Sequence, residues 1–142
     1  MYRVLILCSD NSVLSPMAEG YFRHFIQHDA EIYGAGITVR KVDPLIVKLM
    51  QEDKIDITRL TQHKLSDLRH IDFDYILTCD LDSEVESHHL PSKPVKYHYG
   101  FDKLLKIDTG ESADTIYRTI RGRIKKAIQS FVKEHFTNIQ TN

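Results

Sequence analysis

The chain contains only two cysteines, and that scarcity already excludes several protein classes. Cys8 and Cys79 are too few for a secreted disulfide scaffold or a zinc site, so both are expected as free thiols, reactive or simply buried. An excess of one charge is also missing. The 19 basic and 20 acidic residues leave a formal net charge of -1, which advertises no basic face, and nucleic acid is not an expected partner. Long hydrophobic runs are absent too. The longest, Val4 to Leu7, is far too short for a bilayer span or a signal segment, so no membrane association and a cytoplasmic location are expected. No internal repeat or low-complexity segment is found, and neither a cofactor nor a metal is expected. His88 and His89 are adjacent and lack partners at metal-site spacing, so they are read as surface residues.

What is present is enough for one fold. A chain of 142 residues with 42% hydrophobic content predicts a single domain, placed here at residues 1–136, with 137–142 as a frayed tail. Arg3 to Leu7 is apolar without alternation, as in a strand buried on both faces of a parallel sheet. Ser15-Pro16 reads as a helix entry, with Ser15 as N-cap and Pro16 in the first helical position. Met17, Ala18, Tyr21, Phe22, Phe25 and Ile26 then form one apolar stripe. Residues 32–37 predict a second strand, Asp43-Pro44 a helix ending near Asp53, and Phe73 to Cys79 a third strand. Leu65 and Leu68 suggest a helical turn, Pro91 and Pro94 bracket a loop, and Val95 to Tyr99 predicts a fourth strand. A long helix from about Ser112 carries Ile116, Ile120, Ile124, Ile128, Phe131, Val132 and Phe136 at helical spacing. Arg118, Arg121, Arg123, Lys125 and Lys126 on it are read as a solvated face. Strands alternating with helices predict an α/β fold, a doubly wound four-stranded parallel sheet flanked by helices.

In such sheets ligands sit beyond the carboxyl ends of the strands, where Cys8 falls. The segment C-S-D-N-S-V-L-S-P-M-A-E between the first strand and its helix can turn several backbone N–H groups to one point, at the positive end of the helix. A phosphate-like oxyanion suits such a nest. The same donors are expected to lower the Cys8 pKa into the reactive range, making it a nucleophile toward phosphorus. Asn11 and Ser12 are candidates for tying the loop together, and Ser15 for donating to the Cys8 sulfur. Buried packing alone is the alternative reading of Cys8.

This segment resembles the phosphate-loop signature of the low-molecular-weight protein tyrosine phosphatases and of the thioredoxin-coupled arsenate reductases that share their fold. That signature is Cys, five residues, Arg, then Ser or Thr, usually followed by Pro-x-Ala-Glu. The resemblance runs along nearly the whole chain: Y-G-A-G-I at 33–37, V-D-P-L-I-V-K-L-M at 42–50, I-D-I at 55–57, F-D-Y-I-L-T-C-D at 73–80 and H-Y-G-F-D at 98–102. It implies Cys8 as nucleophile, Asp102 as general acid, and Ser9, Asp10, Asn11, Ser12, Val13, Leu14 and Ser15 as the oxyanion-binding loop. Its expected partner is a phosphate-like oxyanion or a phosphorylated ligand.

Three departures stand out. Leu14 occupies the position of the family's arginine, and nothing apolar imitates a bidentate guanidinium. Asp10 replaces a residue that is commonly glycine, and Lys103 follows Asp102 where the family usually has Asp or Pro. Arg40 and Lys41, after the Gly34-Ala35-Gly36 turn, are candidate substitute cations, with ordinary surface charge as the alternative. The reductase branch relays electrons through three cysteines. Here Cys79 lies near the second position and no third exists, so the relay is broken. Three readings remain: an oxyanion-binding protein with impaired catalysis, a working phosphatase or arsenate reductase using Cys8 and Asp102, or a thiol redox protein using Cys8 and Cys79. Tyr97 and Tyr99 are read as pocket rim or core, and His98 as packed and hydrogen-bonded.

Overall fold

Strand β1 (Tyr2–Cys8) buries its last five residues, and in the computed structural model it lies at the centre of the sheet. The structure describes residues 1–26, 30–90 and 94–136. Pro91 and the expected frayed tail, residues 137–142, lie outside the described residues. After β1 come α1 (Leu14–Phe25), β2 (Ala30–Gly36), α2 (Pro44–Glu52), β3 (Gln62–Lys64) and a 3-10 turn at Leu65–Asp67. β4 (Tyr75–Thr78), α3 (Leu81–Ser87), β5 (Val95–His98), a 3-10 helix at Phe101–Lys106 and α4 (Ala113–Phe136) complete the order. The strands are ordered β3-β2-β1-β4-β5, and all four pairings are parallel.

The sheet therefore has five strands, not four. The extra one, β3, reads Q-H-K and pairs along one side with Gly34 to Gly36 of β2. A three-residue edge strand without an apolar residue carries no hydrophobic pattern to detect. Helix α3 escaped for a related reason: the residues it buries are Ser83 and Ser87. Its capping box, Asp80 with Ser83, is the signal that marks it.

Alternation in β1 divides the core. Val4, Ile6 and Cys8 face a large cluster with Met17, Tyr21 and Phe22 of α1, Ile46 and Met50 of α2, and the isoleucines of α4. Leu5 and Leu7 face a smaller cluster with Leu65, Leu68, Phe73, Ile76 and Leu90. The basic run of α4 is more than a solvated face. Arg118 grips Glu52 through both terminal nitrogens (2.7 and 2.9 Å), and Arg121 adds a third bond at 2.9 Å. These bonds hold Glu52 down at about 2, against an ordinary value of 4.5.

Helix α1 starts two residues earlier than expected, at Leu14 and not Pro16, and neither Ser15 nor the Val13 side chain caps it. Ser15 lies inside the first turn because its hydroxyl is bonded within the Cys8 loop. That loop sits hard against β2 at Gly36. A Cβ there would lie 2.0 Å from the Thr38 carbonyl oxygen and 3.0 Å from the Asn11 nitrogen.

Two outcomes follow. Gly36→Ala forces backbone against backbone and lowers stability by about 1–3 kcal/mol, read as a lower urea midpoint; an unchanged midpoint would refute the tight seat. Glu52 is depressed, so its contribution is present above about 4.5 and lost as pH falls toward about 2. The melting-temperature gap between the native chain and Glu52→Gln accordingly closes over that window.

Candidate functional site

The strand order changes direction between β1 and β4: β1 leads outward to β2, whereas β4 lies on its other side and leads to β5. Crevices form at the carboxyl ends of such strands. A cavity of about 210 Å³ opens there. Cys8, Ser9, Asp10, Ser12, Val13 and Leu14 line it from the loop after β1. Asp80, Leu81 and Asp82 line it from the start of α3, and Asp102, Leu105 and Lys106 from the 3-10 helix.

The buried Cys8 sulfur is held from two directions. The Asn11 backbone N–H donates to it at 3.1 Å, and the Ser15 hydroxyl lies 2.8 Å away. The Ser15 hydroxyl also bonds the Asn11 side-chain oxygen, which ties the three residues together. Asn11 adopts φ +56°, a left-handed conformation that asparagine tolerates well. The loop's unusual dihedral thus falls on Asn11 and not on Asp10.

Each loop-facing carboxylate is engaged. Asp10 accepts from the Ser12 hydroxyl (2.7 Å) and N–H (3.2 Å), with Arg40 Nε at 3.9 Å. Asp80 accepts from the Ser9 N–H (2.9 Å) and hydroxyl (2.8 Å) through one oxygen, and from the Ser83 N–H (3.0 Å) through the other. Asp102, largely buried, pairs with Lys106 Nζ at 3.0 Å. Leu14, 4% exposed, presents a hydrocarbon surface to both the core and the cavity.

Burial pushes the Cys8 thiol up to about 11, and nearby Asp80 pushes the same way. The hydrogen bonds from Ser15 and Asn11 oppose this but do not win. The expected lowering is therefore reversed: desolvation disfavours the thiolate more than the hydrogen bonds favour it. Cys79 is fully buried, its thiol driven well up by burial and by Cys8 nearby. The register Leu7↔Thr78 puts Cys79, the residue just past β4, beside Cys8 at the end of β1, yet Cys79 does not line the cavity.

Several sequence candidates lie elsewhere. Arg40 is exposed against Asp10, and Lys41 lines a separate groove with Val42, Val47 and Leu60. Tyr97 packs edge-on against Phe131, and Tyr99 stacks on Phe101. His98 bonds Thr78 Oγ1 at 2.8 Å, and His88 and His89 are exposed. Among the described residues, no cluster of three His, Cys, Asp or Glu is placed to hold a metal, and no helix is long and apolar enough to cross a membrane. Sequence reasoning missed Asp80, Leu81, Asp82, Leu105 and Lys106. Asp80 was detectable as a capping residue directly after a strand, and Lys106 by its spacing of four from Asp102.

A strand, a cysteine-headed loop and a helix that closes it, set at a topological switch point, define a cysteine-loop phosphatase architecture. The family model described as low molecular weight phosphotyrosine protein phosphatase matches residues 3–140, and the chain belongs to that family. It is similar to an arsenate reductase of Shouchella clausii, 33% identical over 135 residues, covering 92% of this chain and 94% of that one. Among solved structures it is similar in fold to a tyrosine phosphatase from Escherichia coli in complex with sulphate (TM-score 0.74, 14% identity, 94% and 99% of the chains). It is similar again to an arsenate reductase in the phosphate-binding state (TM-score 0.71, 22% identity, 94% and 98%).

A protonated Cys8 reacts slowly with iodoacetamide at neutral pH, and its rate climbs as pH rises toward about 11. A Cys8 alkylation rate already at its plateau by pH 7, followed by mass spectrometry of the modified peptide, would contradict a raised pKa.

Proposed function

We propose that this chain is a phosphatase-family protein whose Cys8 loop binds a phosphate-like oxyanion, or the phosphoryl group of a phosphorylated ligand, with little or no turnover. Leu14 carries the reading. It lines the cavity beside Cys8, where phosphoryl transfer needs a guanidinium to spread charge over the equatorial oxygens. Its side chain offers neither charge nor hydrogen bond. The loop's backbone and the start of α1 still favour an anion, which suits binding better than turnover.

The raised Cys8 thiol supports the same reading. In-line attack would form an S–P bond while the leaving oxygen takes a proton from Asp102, and it needs the thiolate at the start. Without a guanidinium at residue 14, the thiolate and a phosphate dianion would also meet on the loop side of one cavity. The observation favouring residual turnover is that Cys8 and Asp102 both face the cavity, as a nucleophile and an acid must. Phosphomonoester hydrolysis is therefore the second reading. Arsenate reduction has less support, since the chain holds two cysteines and Cys79 is sealed in the core.

An aryl-phosphate assay decides between them. The native chain is expected to show no turnover above the Cys8→Ser background. Leu14→Arg, which returns one charge-stabilising group, is expected to raise the rate by about 10²-fold or more, and Cys8→Ser in that background removes the gain. A native turnover number of roughly 1 s⁻¹ or higher that Cys8→Ser abolishes would overturn the impaired reading.

A further inference from the structure

Lys106 ends the 3-10 helix Phe101–Lys106 and reaches the mouth of the Cys8 cavity. Of the described residues lining that cavity it is the one cation, facing the carboxylates of Asp10, Asp80, Asp82 and Asp102. Its Nζ lies 3.0 Å from Asp102, while its side chain is 65% exposed. Asp102 also raises the Lys106 pKa, so the amine stays charged. An ion pair this exposed contributes little, and a four-carbon stem swings freely, so the amine can leave its carboxylate for a better partner.

We infer that Lys106 is the anion-binding cation of this site, supplying from the cavity's opposite wall the charge that Leu14 does not. The inference rests on the reading of the cavity as an oxyanion site. An anion above the Cys8 loop would meet the positive start of α1 on the loop side, where the Ser9, Asn11 and Ser12 N–H groups already serve Asp80, Cys8 and Asp10, with the hydrocarbon of Leu14 beside it. On the far side, the nearest positive charge it can recruit is the Lys106 amine. Three of the facing carboxylates are engaged already: Asp10 by Ser12, Asp80 by Ser9 and Ser83, and Asp102 by Lys106 itself. Lys106 can thus shift between Asp102 when the cavity is empty and the anion when it is filled. An ammonium is a point charge and not a bidentate fork, so it holds an oxyanion without matching the shape of a transferring phosphoryl group. That fits a site that binds better than it turns over.

Arg40 and Lys41 do not fill this role. Arg40 lies outside the lining beside Asp10, and Lys41 belongs to another groove. Lys103, on the same 3-10 helix, makes an internal control. Its stem lies over Gly100, with Cε 2.8 Å from where a Cβ would be, and it does not line the cavity.

The test is calorimetric titration with inorganic phosphate at low ionic strength, with each variant's fold checked by thermal melting. Lys106→Gln is expected to weaken binding about tenfold or more, the usual scale of losing one charge-assisted hydrogen bond. Lys106→Arg retains most of the affinity, and Lys103→Gln stays within about twofold of native, as a remote exposed charge should. Added salt weakens binding to the native chain more than to Lys106→Gln. Native affinity in Lys106→Gln, or an equal loss in Lys103→Gln, would overturn the role of Lys106 while leaving the oxyanion reading intact. Failure of the native chain itself to bind phosphate at millimolar concentration would instead overturn that reading, and the inference with it.

Discussion

The pairing of β1 with neighbours on both sides is the constraint from which the site follows. Its register runs to Cys8↔Gly36 on one flank and Leu7↔Thr78 on the other. A strand locked in this way ends at one place, and the chain must leave the sheet there between two parallel neighbours whose onward connections lead to opposite edges of the sheet. The loop after Cys8 is pressed against β2 at Gly36 and tied to β4's exit through Ser9 and Asp80. Cavity, loop and thiol are all consequences of that ending.

Within the loop, hydrogen bonding and desolvation decide the chemistry together. Ser15 and Asn11 hydrogen-bond the Cys8 sulfur and favour its thiolate, but burial outweighs them and keeps the thiol neutral. A guanidinium at residue 14 would oppose that desolvation by favouring the thiolate and the bound anion at once. Leucine instead contributes packing, joining the cluster that β1 shares with α1 and α4. Substituting one side chain therefore affects nucleophile, ligand charge and core together, because all three meet at the first turn of α1.

Elements with strong apolar patterns were legible in the sequence. β1, the stripe of α1, the Asp43-Pro44 entry of α2 and the isoleucines of α4 each carry a period that burial imposes. β3 and α3 were not, because Q-H-K and L-D-S-E-V-E-S bury little hydrocarbon and owe their shape to β2's edge and to a capping box. The site divides the same way. Cys8, Asn11, Ser15 and Asp102 stand out through local motifs, whereas Asp80 and Lys106 join the cavity only because β4 and the 3-10 helix end beside β1.

The sequence by itself determined the fold class, the family and the position of the thiol, since these rest on local periodicity and on a contiguous loop motif. Tertiary structure decided the protonation of Cys8, the direction of the Asp10 carboxylate and the identity of the cation at the cavity mouth. The Asp10 carboxylate is turned by its near neighbour Ser12, whereas the first depends on burial and on Asp80, far along the chain from Cys8, and the last on the 3-10 helix ending beside the loop after β1. Linear spacing carries no record of such distances.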